Sequence, residues 1–162
     1  MKIWSTPQRI FDKLNDEFCF DMDVCADADN AKCIMFYSRQ RGLTEPWGGV
    51  VFLNPPYGRG LIQPWIQKAY EVAARREATA VCLIPSRTNP PWWHDFVMKA
   101  TEIRFIRSKV SFLGIGENTT PFWGNSIVVF RKGMVGQTPK VSSWDQPQRG
   151  PTTQGEPEGE SK

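Results

Sequence analysis

Val50-Val51-Phe52-Leu53-Asn54-Pro55-Pro56-Tyr57 is the stretch on which the fold of this chain turns. Four consecutive apolar residues predict a buried strand, and two prolines stop it. The strand thus delivers an amide side chain, a stiffened carbonyl and an aromatic ring to one rim. Proline supplies the stiffness, because it fixes its own φ and restricts the residue before it. Such a rim suits a planar molecule that bears an exocyclic amino group. The Asn54 amide oxygen and the Pro55 carbonyl can each accept one amino N–H, and Tyr57 can stack on the plane.

Working outward, short apolar runs alternate with amphipathic segments. Ser5-Thr6-Pro7 predicts a helix opening, with Ser5 or Thr6 as cap and Pro7 at the first helical position. Ile10, Phe11, Leu14 and Phe18 follow on one helical face. Phe20–Ala26 predicts a short strand with an acidic, small-residue end, and Ala28 to about Tyr37 is ambiguous. A helix is expected over Pro64–Ala73, a strand over Ala80–Pro85, and a helix from Trp92 to about Ala100. Strands are expected at Ile103–Ile106 and Ser126–Phe130, and the segment Arg104–Phe112, a loop from Gly114 to Gly124 and then Ser126–Phe130 reads as a hairpin. The alternation predicts an α/β fold: an open, mostly parallel sheet covered on both faces, with an antiparallel C-terminal hairpin. Ligands bind such sheets beyond the carboxyl ends of the strands, where Asp21–Asp27, Asn54–Tyr57 and Pro85–Thr88 all fall.

The 162 residues and 40% hydrophobic content suit one domain with a real core. No apolar run approaches a membrane span, and the opening residues carry no export signal. Cys19, Cys25, Cys33 and Cys82 form no C-x-x-C pair, which predicts reduced thiols rather than a zinc site. From Gln137 onward the chain is rich in Pro, Gly, Gln, Ser and Thr, so residues 1–136 are read as the domain and 137–162 as a disordered tail. Net charge is +3, of which the tail carries −1 and the body +4. Basic clusters occur at Arg39/Arg41, Arg75/Arg76 and Arg104/Arg107/Lys109, a balance that allows a nucleic-acid partner without requiring one. His94 reads as a helix-surface residue, and Asn89-Pro90-Pro91 as a helix opening.

With Asn-Pro-Pro-Tyr at a strand end, the chain resembles S-adenosylmethionine-dependent amino-methyltransferases. The Trp4-x-Thr6-Pro7 opening, the Asp21-x-Asp23-Val24-x-Ala26 strand and a late Phe-containing hairpin narrow the likeness. Together they resemble the phage-type, Dam-like DNA N-6-adenine-methyltransferase family, over about Trp4 to Phe130. The resemblance implies a single-domain Rossmann-like methyltransferase fold, S-adenosylmethionine as cofactor and double-stranded DNA as partner. It also implies a bacterial cytoplasmic setting of phage or prophage origin. No membrane and no obligate protein partner are implied. Trp4, Thr6 and Pro7 match the segment that holds the methionine part of the cofactor, and Asp21, Asp23, Cys25 and Ala26 match the strand end against it. Asn54, Pro55, Pro56 and Tyr57 match the catalytic tetrapeptide. Phe112 is the first choice for the aromatic that sandwiches the flipped base, with Phe122 or Trp123 as alternatives. Arg87 and Lys109 are candidate DNA contacts. The chain departs from the pattern at Val24-Cys25-Ala26-Asp27, where a Gly-x-Gly turn is usual, and at Arg41, where an acidic residue often precedes Gly-Leu.

The implied chemistry is direct transfer. Adenine's amine is a poor nucleophile because its lone pair is delocalised into the ring. Two acceptors on its protons favour the pyramidal nitrogen as charge develops, and alignment supplies the rest. No covalent intermediate or metal is implied. Glutamine side chains of proteins and RNA base amines remain alternative acceptors, and an inactive DNA-binding relative is a further alternative.

Overall fold

Apolar residues alternate along each central strand and so build two cores, one on either face of a single sheet. Val51, Leu53, Ala80, Cys82, Ile84, Val128 and Phe130 pack with Ile66, Ala69, Trp92 and Trp93 on one face. Phe52, Val81, Leu83, Ile127 and Val129 pack with Ile10, Phe11, Leu14 and Phe18 on the other. The computed structural model describes residues 4–113 and 122–148; most of the Gly114–Gly124 loop and residues 149–162 of the expected tail lie outside them. Elements follow in the order α1 (Gln8–Phe18), β1 (Met22–Asp23), α2 (Arg39–Gly42), β2 (Gly49–Leu53), α3 (Gln63–Ala74), β3 (Ala78–Pro85) and α4 (Pro91–Asp95). After a 3-10 turn at Val97–Lys99 come β4 (Glu102–Arg107), β5 (Asn125–Phe130) and β6 (Lys140–Asp145).

The sheet runs β1-β2-β3-β5-β4-β6. β1, β2 and β3 are parallel neighbours. β5 pairs antiparallel with both β3 and β4, and β6 pairs parallel with β4. Every strand except β5 therefore points the same way, and the ends of β1, β2, β3, β4 and β6 share one rim. The expected hairpin is present as the β4–β5 pair, inserted beside β3.

Several elements differ from expectation. Neither Ser5 nor Thr6 caps α1, and Pro7 takes the cap position itself with φ −56° and ψ 132°. Ser5 instead exchanges two backbone hydrogen bonds with Leu113, at 2.9 and 3.0 Å. The first strand shrinks to two residues. Beyond it the ambiguous segment returns, and Phe36 forms a parallel bridge to Asp23. The Trp92–Ala100 helix breaks at Phe96, whose φ of −126° and ψ of −52° leave the helical region.

The largest correction concerns the expected tail. Residues 140–145 form β6, a full register of six pairs against β4. Trp144 is buried on the α1 face, with the Lys13 ammonium 4.6 Å from its ring centre. The domain therefore extends past residue 136. Lys-Val-Ser-Ser-Trp-Asp lacks the apolar alternation of a core strand, yet an edge strand needs only main-chain pairing and one anchor. No helix among the described residues is long and apolar enough to cross a membrane.

Candidate active site

Asn54 is the first residue past β2, and the two prolines behind it prevent the strand from continuing. Its half-buried side chain is held from one side only. The amide nitrogen donates to the Trp4 main-chain carbonyl at 2.7 Å and to the Thr6 hydroxyl at 3.0 Å. Only the NH2 end of the amide can donate to a carbonyl, so these contacts fix which way the group points. The other end, Oδ1, is buried and accepts no hydrogen bond among the described residues. An unpaired buried acceptor costs about 1–3 kcal/mol. Thr6 is 2% exposed, so its hydroxyl serves Asn54 from inside the protein.

Tyr57 is anchored too. Its hydroxyl donates to the Leu83 carbonyl at 2.8 Å, an acceptor at the end of β3 past the last β2 pair, Leu53 with Cys82. Burial holds the phenol well above its ordinary pKa range, so it remains a neutral donor. The ring meets Phe112 edge-on, with centres 5.7 Å apart and planes at 88°. Phe112 in turn meets Trp4 edge-on at 5.6 Å. This row of rings joins the tetrapeptide to the N-terminal segment, and it corrects one expectation. Phe112 is 0% exposed and offers no free face to a base. The alternatives do better: Phe122 is 94% exposed, and Trp123 is half-buried. Each carries a cation, Lys109 lying 5.9 Å from the Phe122 ring and Arg87 5.9 Å from that of Trp123.

A narrow cleft opens beside Asn54. Trp4, Thr6, Asp23 and Cys25 line it, as does Asn54 itself, so five of the anticipated residues converge there. Asn30, Lys32 and Arg39 complete its polar wall. Asp23 is 3% exposed and accepts from the backbone N–H groups of Cys25 at 3.2 Å and Lys32 at 3.1 Å. Burial raises its pKa against those two bonds. Burial likewise lowers that of Lys32, an effect the Asp23 charge opposes. Cys25 is pushed up to about 12 by burial and stays a thiol. The Arg39 side chain is 21% exposed and lies 3.8 Å from the Asp27 carboxylate, and its buried Nε donates no hydrogen bond among the described residues. Nothing in the linear pattern placed Lys32 at this cleft, and Arg39 stood out only as half of a basic cluster. They reach the cleft because the chain doubles back to make the Asp23–Phe36 bridge.

Other anticipated residues lie elsewhere. Asp21 stands at the start of β1, on the opposite end of the sheet, where its carboxylate accepts from Val50 N at 2.8 Å. Gly49, at φ +66°, makes room for it: a Cβ there would sit 2.3 Å from the Asp21 oxygen. Asp21 thus secures the start of β2 and does not face the cleft. Pro7 and Ala26 are buried beside the cleft without lining it. His94 is exposed on α4, as expected.

The basic clusters divide clearly. Arg41 pairs with Glu45, Arg75 with Glu71 and Glu77, and Arg104 with Glu17 and Glu102. Arg107, itself paired with Asp145 at 3.0 Å, and Lys109 line a polar groove of about 550 Å³, with Arg9 and Gln146, at the rim ends of β4 and β6. A second groove along α3 is remote from Asn54. Lys68 there donates to the carbonyls of Gly42, Leu43 and Glu45, at 3.0, 3.0 and 2.5 Å, and closes the turn after α2.

A protein of Escherichia coli (strain K12) named "Putative methyltransferase YfdM" is 37% identical over 71 residues, covering 38% of this chain and 71% of that protein. Residues 1–147, a span that includes β6, match the family described as DNA N-6-adenine-methyltransferase (Dam). On that match the chain belongs to the DNA N-6-adenine-methyltransferase family.

Proposed function

We propose that this protein methylates the exocyclic amino group of adenine in DNA, with S-adenosylmethionine as methyl donor. The observation that carries the reading is the Asn54 amide, held by its nitrogen and presenting a buried, unpartnered oxygen at a strand end. An amino group is the donor that such an acceptor lacks. A sheet parallel apart from β5, with the site at its carboxyl rim, supports the Rossmann-like methyltransferase reading.

The cleft, about 20 Å³ in volume as it stands, matches the amino-acid end of the cofactor in the charges on its walls. Arg39 and Lys32 are cations for its carboxylate, and Asp23 has lone pairs left for its ammonium. When bound, the cofactor supplies a methyl group activated on a sulfonium. Asn54 Oδ1 and the Pro55 carbonyl accept the two amino protons and favour the nitrogen geometry that attacks. Tyr57, neutral and fixed through Leu83, presents an oriented ring at the same rim. Adenine must leave the duplex to reach this point, and aromatic stacking offsets part of the unstacking cost. Phe122 and Trp123, each with a cation beside it, are the rings placed to meet it. Arg107 and Lys109 are the phosphate contacts this reading favours.

The test is methyl incorporation. Purified protein with isotopically labelled S-adenosylmethionine is offered DNA, RNA and protein separately, and products are digested and separated by mass spectrometry. Label in N6-methyladenine of DNA is the expected outcome. Label confined to RNA or protein, or no binding of S-adenosylmethionine, overturns the proposal.

A further inference from the structure

We infer that the Trp4 carbonyl and the Thr6 hydroxyl are positioning groups that set the direction of the Asn54 amide, and that they thereby require asparagine rather than aspartate at position 54. The inference rests on the proposed methyl transfer, because it assigns the free end of that amide to the acceptor amine.

Trp4 presents a main-chain carbonyl 2.7 Å from the Asn54 nitrogen. A carbonyl can only accept, so the atom facing it must carry hydrogen. Thr6, at 3.0 Å, could rotate its hydroxyl to donate instead. Trp4 has no such freedom, and its segment cannot drift away. Ser5 is tied to Leu113 by two backbone hydrogen bonds, and Pro7 fixes the chain direction into α1. The Trp4 ring rests on Phe112, which rests on Tyr57.

A carboxylate at position 54 would therefore set an anionic oxygen against the lone pairs of a fixed carbonyl. The charged groups on the walls of the cleft do not offset this. Asp23, at the end of β1, is a second carboxylate facing the same space, and the Cys25 thiol is neutral there. Lys32 and Arg39 stand on the far wall, Lys32 donating to Gln8 at 3.0 Å and Arg39 beside Asp27, and neither hydrogen-bonds the Asn54 side chain among the described residues. Tyr57 spends its hydroxyl proton on Leu83. An aspartate here would be accommodated only in its protonated form, whose O–H could donate to Trp4. Sign follows from that: its folded pKa would lie above its unfolded value. Stability of the variant would be greatest at low pH and would fall as pH rises through the folded value.

The test uses the full chain and three variants, Thr6→Ser, Thr6→Val and Asn54→Asp. Two readouts are independent of turnover. In ¹⁵N-labelled protein, the Asn54 side-chain NH2 should exchange with water about 10-fold faster in Thr6→Val than in wild type or Thr6→Ser. The melting-temperature deficit of Asn54→Asp should shrink between about pH 8 and about pH 5, where an unperturbed aspartate would show no change. In turnover, Thr6→Val should lower kcat about 10- to 100-fold with KM for S-adenosylmethionine unchanged, and Thr6→Ser should restore it. A rise in KM with kcat intact would make Thr6 a cofactor ligand and overturn the inference. So would an Asn54→Asp protein as stable and active as wild type at about pH 8. If wild type methylates nothing, the functional reading fails, while the exchange and melting measurements still decide this one.

Discussion

Helix α1 carries a polar cluster at each end, and the two are built on opposite principles. At its C-terminal end, Arg104 donates to both oxygens of Glu17 at 2.7 Å and to Glu102 at 2.7 and 2.9 Å. Arg131 adds bonds to the other Glu102 oxygen at 2.8 and 3.0 Å, and both guanidinium groups lie over the Phe18 ring. Each carboxylate oxygen in that cluster has a donor. At the N-terminal end, the Thr6–Asn54 contact leaves an acceptor buried and unpaired. Saturated clusters of this kind lock elements together, here α1 to β4 and β5. The unsaturated one carries a cost that a ligand can relieve, and such exceptions need a reason.

Substitutions at each end should separate these roles. Asn54→Ala is expected to have the largest effect, a loss of about 10²–10³-fold in methyl transfer, with a melting temperature close to wild type. Near-normal turnover would erase the distinction between the two clusters. Glu102→Ala should do the reverse, lowering unfolding free energy by about 1–3 kcal/mol with kcat unchanged, as read from urea melts beside the transfer assay.

The same cluster predicts an acid response. The Arg104 hydrogen bond holds the Glu17 carboxyl below its usual range. For Glu102 burial pulls upward, but the bonds from Arg104 and Arg131 outweigh it and leave the group lowered. Their stabilisation is present above the unfolded glutamate value, about pH 4.3, and is lost as pH falls through the lower folded values. The stability gap between wild type and Glu102→Ala should therefore narrow below that point. A gap that stays constant would show that the cluster contributes through packing alone.

Tyr57→Phe probes a smaller contribution at the rim. Losing the bond to Leu83 should cost about 1 kcal/mol and reduce transfer only modestly, since the ring itself remains. A severe loss of activity at unchanged stability would assign the hydroxyl a part in the chemistry. Lys109→Ala should have the smallest effect: weaker DNA binding at every sequence, and a salt dependence shallower by about one ion. An unchanged salt slope would remove the groove beside β4 and β6 from the DNA interface.

The central strands and the tetrapeptide were legible because burial on both faces leaves continuous apolar runs, and because Pro-Pro after such a run has one geometric meaning. Asn54 could be singled out for the same reason. Its partners could not, since Trp4 and Thr6 lie 50 and 48 residues away and meet it only through the packing of α1. Thr6 looked like a cap because its residue type suits one; the hydroxyl went to a competitor the linear chain does not show. Phe112 had the right position for a stacking ring, but the Trp4–Tyr57 pair encloses it. Lys32 and Arg39 could not be placed at the cleft for want of any sign that residues 35–37 fold back on Asp23. Within the expected tail, β6 was invisible because its one anchoring residue, Trp144, sits among polar neighbours.

That last strand has a consequence for handling the protein. Without residues 140–145, the outward row of N–H and C=O groups on β4 would have no partner, and Ile106 would lose its cover from Trp144. An uncovered edge of that length is a template for a second chain. Shortening the chain to its apparent boundary at residue 136 would thus exchange the polar edge of β6, Lys-Val-Ser-Ser-Trp-Asp, for the more apolar edge of β4, Glu-Ile-Arg-Phe-Ile-Arg. β6 gives the sheet an edge of polar residues where β4 would present isoleucine and phenylalanine.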